Sequence, residues 1–193
     1  MEIKTMIQST PNPNALKFVL NIPVRNTGKV TYKNAAQCQH NPMAAALFTI
    51  PNITEVYFFD NYVTITQDGN ADWDQIEEQI KRTILEYASD HNPDFIVEED
   101  KKNPTIVSDD PEIAKINAIL DNTIRPGLQM DGGDLHVVSF DGINLIVSYQ
   151  GACGSCPSST MGTLRAIESI LRDQYNPEIV VQTEGNIQVE HEH

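Results

Sequence analysis

The stretch Gly151-Ala152-Cys153-Gly154-Ser155-Cys156-Pro157-Ser158-Ser159-Thr160 contains two of the three cysteines in this chain of 193 residues. Two thiolates three positions apart can bind one soft metal ion or one iron of a cluster, and they can also close a small disulfide ring. The residues around Cys153 and Cys156 are small, so a bulky inorganic group can approach the backbone N–H groups. The stretch is therefore a candidate thiolate site, and the spacing alone does not select the bound species.

A helix is predicted directly after the second cysteine. Pro157 suits the first position of a helix. Apolar residues follow at helical spacing: Met161, Leu164, Ile167, Ile170 and Leu171. Cys156 is thus expected at or just before the helix start, where the helix dipole lowers the pKa of a thiol and favours a thiolate ligand.

The charge of the chain restricts its partners. The formal net charge is −14, and the acidic residues are spread along the chain without a basic face. Binding to nucleic acid or to an anionic membrane needs clustered cations, so we expect neither partner. No apolar run approaches the roughly 20 residues needed to cross a bilayer.

The first residues and the cysteine count give an expectation about compartment. Met1-Glu2-Ile3-Lys4-Thr5 lacks the apolar core of a signal peptide, and no Arg-rich, acid-poor transit segment is present. An odd number of cysteines without an export signal indicates a reducing compartment rather than a disulfide framework. We therefore expect a cytoplasmic protein.

Periodicity and turn formers predict two small α+β domains joined by a polar linker. The first domain is expected at residues 1–97, the linker at 98–109, the second domain at 110–185 and a polar tail at 186–193. The elements predicted for the first domain are strands at 3–8, 15–20, 29–32, 53–59, 62–66 and 95–97, with helices that start after Asn41 and Asp72.

The second domain is predicted to run helix, hairpin, helix, strand, with the CxxC loop after the hairpin. Asp110 is expected to cap a helix that starts at Pro111, and Arg125-Pro126-Gly127 to end or kink it. The remaining predicted elements are a turn at 131–134, strands at 135–140 and 143–149 joined by Asp141-Gly142, a helix at 160–172 and a strand at 179–181.

Other reactive side chains are interpreted as structural. Cys38 has no second thiol nearby in sequence, and the histidines are isolated or lie in the polar tail. Asp131 and Asp134 lack the further oxygen ligands of a calcium loop, so Asp134 is expected to be a local hydrogen-bond acceptor. Arg125 is expected to be a helix-end cation.

No nucleophile elbow, phosphate loop or zinc-protease helix is present, and we do not expect an enzyme.

Several interpretations of Cys153 and Cys156 stay open on the residues alone. The pair can be two small buried hydrophobes, a dithiol–disulfide oxidoreductase site, half of a zinc site in an interaction module, or half of an iron–sulfur site. Zinc or a cluster needs two more ligands, and the chain has no second pair of this kind. A site with four thiolates would therefore require two chains, glutathione or a partner protein.

The chain resembles the NifU/Nfu-type iron–sulfur scaffold and carrier family. The resemblance rests on these segments: Thr10-Pro11-Asn12-Pro13-Asn14-Ala15-Leu16-Lys17-Phe18, Asn41-Pro42-Met43-Ala44 with Leu47-Phe48, Ile124-Arg125-Pro126, Leu128-Gln129-Met130-Asp131-Gly132-Gly133-Asp134, the cysteine stretch, and Ile167-Glu168. It implies that Cys153 and Cys156 are the metal ligands of a [4Fe-4S] cluster held between two subunits. It also implies an upstream cluster assembly scaffold as donor, apo iron–sulfur proteins as recipients, and a homodimer in the cluster-bound state.

Overall fold

The computed structural model of the chain describes residues 1–97, 110–154 and 157–184. These residues form two sheets, and each sheet has its own hydrophobic core. The predicted α+β fold class is confirmed. We refer to residues 1–97 as the N-terminal module and to residues 110–184 as the C-terminal module. The predicted linker at 98–109 and the predicted tail at 186–193 lie outside the described residues.

The N-terminal module is a five-stranded antiparallel sheet with two helices. Its elements are β1 (Thr5–Ser9), β2 (Ala15–Leu20), β3 (Arg25–Tyr32), a short 3-10 helix (Ala35–Cys38), α1 (Pro42–Leu47), β4 (Ile53–Asp60), β5 (Tyr62–Gln67) and α2 (Trp73–Ala88). The strand order is β1-β2-β5-β4-β3. The helix starts are capped as predicted, because Asn41 accepts a hydrogen bond from the N–H of Ala44 and Asp72 accepts one from that of Asp74.

The two faces of this sheet have different partners. Side chains alternate between the faces along a strand, so Val63 and Ile65 of β5 lie in the core beneath the helices. Ile80 and Ile84 of α2 are fully buried in the same core, and each contributes about 2 kcal/mol by leaving water. The opposite face carries polar residues such as Thr64, which is also fully buried.

The strand predicted at 95–97 is absent from the sheet. This segment is irregular, although Phe95 and Val97 are buried in the core. The Arg25 guanidinium donates a hydrogen bond to the Phe95 carbonyl and lies 4.4 Å from the centre of its ring. Burial of Phe95 and Val97 and the contacts with Arg25 therefore stabilise this segment without strand pairing. A short apolar run in the sequence does not distinguish such a buried irregular segment from a strand.

The C-terminal module is a three-stranded sheet with three helices. Its elements are α3 (Pro111–Thr123), α4 (Arg125–Met130), β6 (Gly133–Phe140), β7 (Asn144–Gly151), α5 (Pro157–Gln174) and β8 (Val180–Thr183). β6 and β7 form the predicted hairpin, and β8 pairs with β7 in parallel. The predicted interruption at Arg125-Pro126 is confirmed, because α3 ends at Thr123 and a short second helix begins at Arg125.

None of the helices in the described parts of the chain has the length and apolar character needed to span a bilayer.

Candidate functional site

Two glycine turns bring the start of the cysteine loop to the end of the hairpin. Gly132 and Gly151 both have positive φ, +82° and +63°, a conformation that favours glycine. Gly133 pairs with Gly151 across the hairpin, and the Ala152 N–H donates to the Gly132 carbonyl at 3.2 Å. Of the turn predicted at 131–134, Asp131 and Gly132 form the turn, while Gly133 and Asp134 already pair in β6. The turn therefore lies directly beside the residues that lead into Cys153.

The thiol of Cys153 is half-buried in a space that glycines keep open. A Cβ added to Gly133 would lie 2.6 Å from the Cys153 Sγ, so the sulfur occupies the position that a larger residue would fill. The Gly154 N–H closes a tight turn onto the Gly151 carbonyl at 3.1 Å. A thiol beside exposed backbone suits an inorganic group whose sulfur atoms accept N–H hydrogen bonds, so the residues present fit an iron–sulfur cluster as cargo.

A small cavity of about 40 Å³ adjoins Cys153 and is lined by both modules. Its lining includes Asn12 from the N-terminal module and Tyr149, Thr160 and Thr163 from the C-terminal module. The Asn12 side chain donates a hydrogen bond to the Ala152 carbonyl at 3.1 Å. Burial raises the pKa of the Tyr149 hydroxyl, and a negative charge on the Cys153 sulfur raises it further.

The structure places one of the two predicted ligands. Cys156 lies outside the described residues, while α5 begins at Pro157 as predicted. Within the described ranges, no group of three or more His, Cys, Asp or Glu side chains could hold a metal ion. The described part of one chain therefore does not supply a complete ligand set.

Cys38 and the described histidines near it have structural contacts in the N-terminal module. Cys38 is fully buried, and its Sγ donates to the Asn34 carbonyl at 3.4 Å. Burial raises the pKa of the Cys38 thiol to about 11, which disfavours the thiolate form needed for ligation. His40 contacts the Tyr32 hydroxyl at 2.7 Å, and His91 contacts the Val24 carbonyl at 2.7 Å.

A buried charge network lies beside the cysteine loop. Asp134 is 2% exposed, accepts a hydrogen bond from the Leu135 N–H at 2.7 Å, and pairs with Lys29 of the N-terminal module at 3.1 Å. Arg125 lies 3.7 Å from Asp134 and also pairs with Asp121. Asp134 therefore accepts a local hydrogen bond, as predicted. Sequence reasoning missed Lys29, because an isolated lysine on a strand carries no signal for a partner in the other module.

These observations define a class of protein: two α+β modules, with a glycine-lined cysteine loop at the end of a hairpin in the second. Residues 3–91 match the family model described as scaffold protein Nfu/NifU N terminal, and residues 116–182 match the model of the NifU-like domain. The chain belongs to the Nfu/NifU family of iron–sulfur scaffold proteins, as the sequence resemblance indicated.

The chain is also similar to named proteins. The chain is 33% identical over 173 residues to the human "NFU1 iron-sulfur cluster scaffold homolog, mitochondrial", covering 89% of this chain and 68% of the relative. It is 34% identical over 169 residues to "NifU-like protein 4, mitochondrial" of Arabidopsis thaliana, covering 85% of this chain and 60% of the relative. The solution structure of a NifU-like protein from Saccharomyces cerevisiae matches with a TM-score of 0.42 and 26% identity, covering 50% of this chain and 84% of that one.

The expectation of a cytoplasmic protein is wrong. The human relative and two Arabidopsis relatives are each named mitochondrial. The chain spans only 60% and 62% of the length of the two Arabidopsis relatives. The residues at the start of this sequence therefore do not indicate the compartment of the protein.

Proposed function

We propose that the protein is a scaffold or carrier that binds a [4Fe-4S] cluster through Cys153 and Cys156 and delivers it to apo iron–sulfur proteins. An upstream assembly scaffold supplies the cluster, and the protein is not an enzyme. The observation that supports this proposal most directly is the Cys153 thiol in its glycine-lined space, within a chain of the Nfu/NifU family. The names of the relatives support the scaffold role.

The ligand count explains why such a site suits transfer rather than permanent binding. Two thiolates per chain leave a [4Fe-4S] core half ligated, so two chains in a homodimer would each give Cys153 and Cys156. Each protomer then contributes only half of the ligands. A recipient with its own thiolates can replace one pair at a time, because thiolate ligands are exchangeable at an accessible site.

The N-terminal module is proposed to select partners rather than hold metal. Its one cysteine, Cys38, is buried in the core and its thiol has a raised pKa. The proposed boundaries are residues 1–97 for this domain, 98–109 for the linker and 110–185 for the cluster-binding domain.

Anaerobic reconstitution of three variants tests the assignment of the ligands. Cys153→Ala and Cys156→Ala are expected to reduce bound iron and acid-labile sulfide to background, because each removes a thiolate that the cluster requires. Cys38→Ala is the matched control and is expected to bind as the wild type does. Loss of the cluster in Cys38→Ala with retention in Cys153→Ala would contradict the assignment.

The same samples separate the alternatives. A dithiol–disulfide oxidoreductase would reduce disulfides without metal, and a zinc-stabilised module would contain zinc without sulfide. Iron and acid-labile sulfide in equal amounts, with Mössbauer parameters of a [4Fe-4S] cluster, are the result we expect.

A further inference from the structure

The polar face of the N-terminal sheet contacts the backbone of the C-terminal module. We call this face, formed by Lys17, Lys29, Tyr57 and Thr64, the docking face. The Lys17 ammonium donates to the Gln129 and Met130 carbonyls, both at 3.2 Å. Those carbonyls belong to the last turn of α4, where a cation is favourable. The Gln129 carbonyl also accepts a hydrogen bond from the Gly132 N–H at 3.2 Å.

Two further contacts extend this interaction toward the glycine turn. The Thr64 hydroxyl donates to the Gly132 carbonyl at 2.7 Å and is fully buried. The Lys29 ammonium donates to the Leu135 carbonyl at 2.8 Å and pairs with Asp134 at 3.1 Å. The docking face thus binds carbonyls before, within and after the turn at Asp131-Gly132, and the next residue, Gly133, lies beside Cys153.

The N-terminal module also covers the residue before Cys153. Ala152 is 2% exposed, and its carbonyl accepts the hydrogen bond from Asn12. The Tyr57 ring lies so close to Gly151 that a Cβ added there would be 3.0 Å from its Cδ1. The cavity of about 40 Å³ beside Cys153 is lined on one side by Pro11 and Asn12 of the N-terminal module. The docked module therefore bounds the space next to the thiol.

The chemistry of the contact makes it reversible. Burial lowers the pKa of the Lys17 and Lys29 ammonium groups, although Asp131 and Asp134 oppose the shift, so docking carries a desolvation cost that the ion pair only partly offsets. Interfaces between domains of one chain resemble transient protein–protein interfaces. Polar contacts with buried charges therefore suit two modules that dock and separate again.

We propose that the docking face is an interaction surface whose partner is the chain's own cluster-binding module, and that it covers Cys153 until a cluster bridges two chains. The proposal rests on the proposed cluster-binding function, because bridging requires Cys153 to face a second chain. Separation of the docking face enlarges the space beside Cys153. Re-docking after transfer covers the thiol again.

Alkylation of the apo protein tests the covering directly. Iodoacetamide labelling is followed over time, and tandem mass spectrometry resolves Cys153, Cys156 and Cys38. Thr64→Val and Lys29→Met each remove a contact of the docking face and are expected to speed labelling of Cys153 about fivefold to tenfold, the factor that one lost hydrogen bond gives in an opening equilibrium. Thr83→Val and Lys81→Met make the same chemical changes on α2, which packs on the other face of the sheet, and are expected to leave the rate unchanged.

The buried Cys38 reports unfolding of the N-terminal module in the same samples. Faster labelling of Cys153 with unchanged labelling of Cys38 supports the proposal. An unchanged rate at Cys153, or equal acceleration at both cysteines, would overturn it.

Cluster uptake by the same variants separates this inference from the proposed function. The variants are expected to take up iron and sulfide at least as fast as the wild type, because the cover is already weakened. Slower uptake would mean that the docked module builds the site instead of covering it, and would overturn the inference. Failure of the wild type to take up a cluster would contradict the proposed function, while the labelling result for the apo protein would stand.

Discussion

Gly151 occupies a position that only glycine accepts without strain. Its φ is +63°, and an added Cβ would lie 2.5 Å from the Gly132 carbonyl oxygen and 3.0 Å from the Gly133 Cα. Gly133 is fixed by its pairing with Gly151 in the hairpin, and the Gly132 carbonyl is fixed by hydrogen bonds from the Ala152 N–H and the Thr64 hydroxyl. We expect Gly151→Ala to lower the free energy of unfolding by at least about 2 kcal/mol, from left-handed strain and the clash together. Urea denaturation followed by circular dichroism measures the change.

Gly162 is the matched control for this substitution. It is exposed within α5, and an added Cβ would meet nothing within 4 Å. Gly162→Ala is expected to raise the free energy of unfolding by about 1 kcal/mol, because alanine is the better helix former. Equal effects of the two substitutions would contradict the strain and clash expected at Gly151.

Part of the cysteine site was predictable at the residue scale, and part was not. The small residues around Cys153 predicted room for a bulky group, but not the turn that the Gly154 N–H closes onto the Gly151 carbonyl. The space that the sulfur occupies is left by Gly133, at the start of β6. Its position depends on the pairing register of β6 and β7, which residue types near the cysteines do not encode.

Strand β4 carries a buried carboxyl on the same side as the docking face. Burial raises the pKa of Glu55 to about 7, although the charge of Lys33 and the nearby Gly151 N–H oppose the shift. Because the folded state holds the Glu55 proton more tightly, this proton stabilises the fold fully at pH values below the ordinary glutamate pKa. The contribution is lost as pH rises through about 7. We therefore expect the free energy of unfolding to fall between pH 5 and pH 8 by on the order of 2 kcal/mol on account of Glu55.

Glu55→Gln keeps the neutral form at every pH and isolates this effect. The difference between wild type and Glu55→Gln is expected to shift in favour of the variant as pH rises from 5 to 8, measured by urea denaturation at each pH. Glu86→Gln on the exposed side of α2 changes the charge equally without burial and serves as the control. A constant difference across this range would mean that Glu55 does not titrate as described.

Elements with strong local signals were predictable, and elements defined by tertiary contacts were not. The caps at Asn41, Asp72 and Asp110 mark helix starts that the structure confirms. Residues 95–97 were wrongly predicted as a strand because burial against the core, rather than strand pairing, explains the apolar Phe95 and Val97, while Ile96 is exposed. The polar face of the N-terminal sheet resembles a solvated face in sequence, since its burial depends on the other module.

At the scale of the whole molecule, negative charge opposes the association of two chains, whereas two lysines stabilise the packing of the two modules within one chain. The chain carries a formal charge of −14, and Lys17 and Lys29 lie against carbonyls and a carboxylate of the C-terminal module. These lysines join modules of one chain whose remaining surface is predominantly acidic. Two such chains repel each other before a cluster joins them.

The last prediction concerns the assembly of two chains by the cluster. Two chains together carry a formal charge of −28, twice the −14 of one chain, and a cluster with four thiolates adds negative charge. Low ionic strength should therefore oppose assembly, and screening at higher salt should favour it. The apo protein is expected to be mainly a monomer of 21.5 kDa. Anaerobic native mass spectrometry should show dimer mass, four irons and four sulfides appearing together on reconstitution.

Cys153→Ala is the control for this measurement, because it should stay monomeric under the same conditions. Reconstitution across a salt series should increase the cluster-bound dimer as the salt concentration rises, provided that iron and sulfide are in excess. A monomer that carries a complete [4Fe-4S] cluster without an added thiol would contradict the bridged site. The two missing ligands would then have to come from the same chain, and Cys38→Ala in that monomer would test the one remaining thiol.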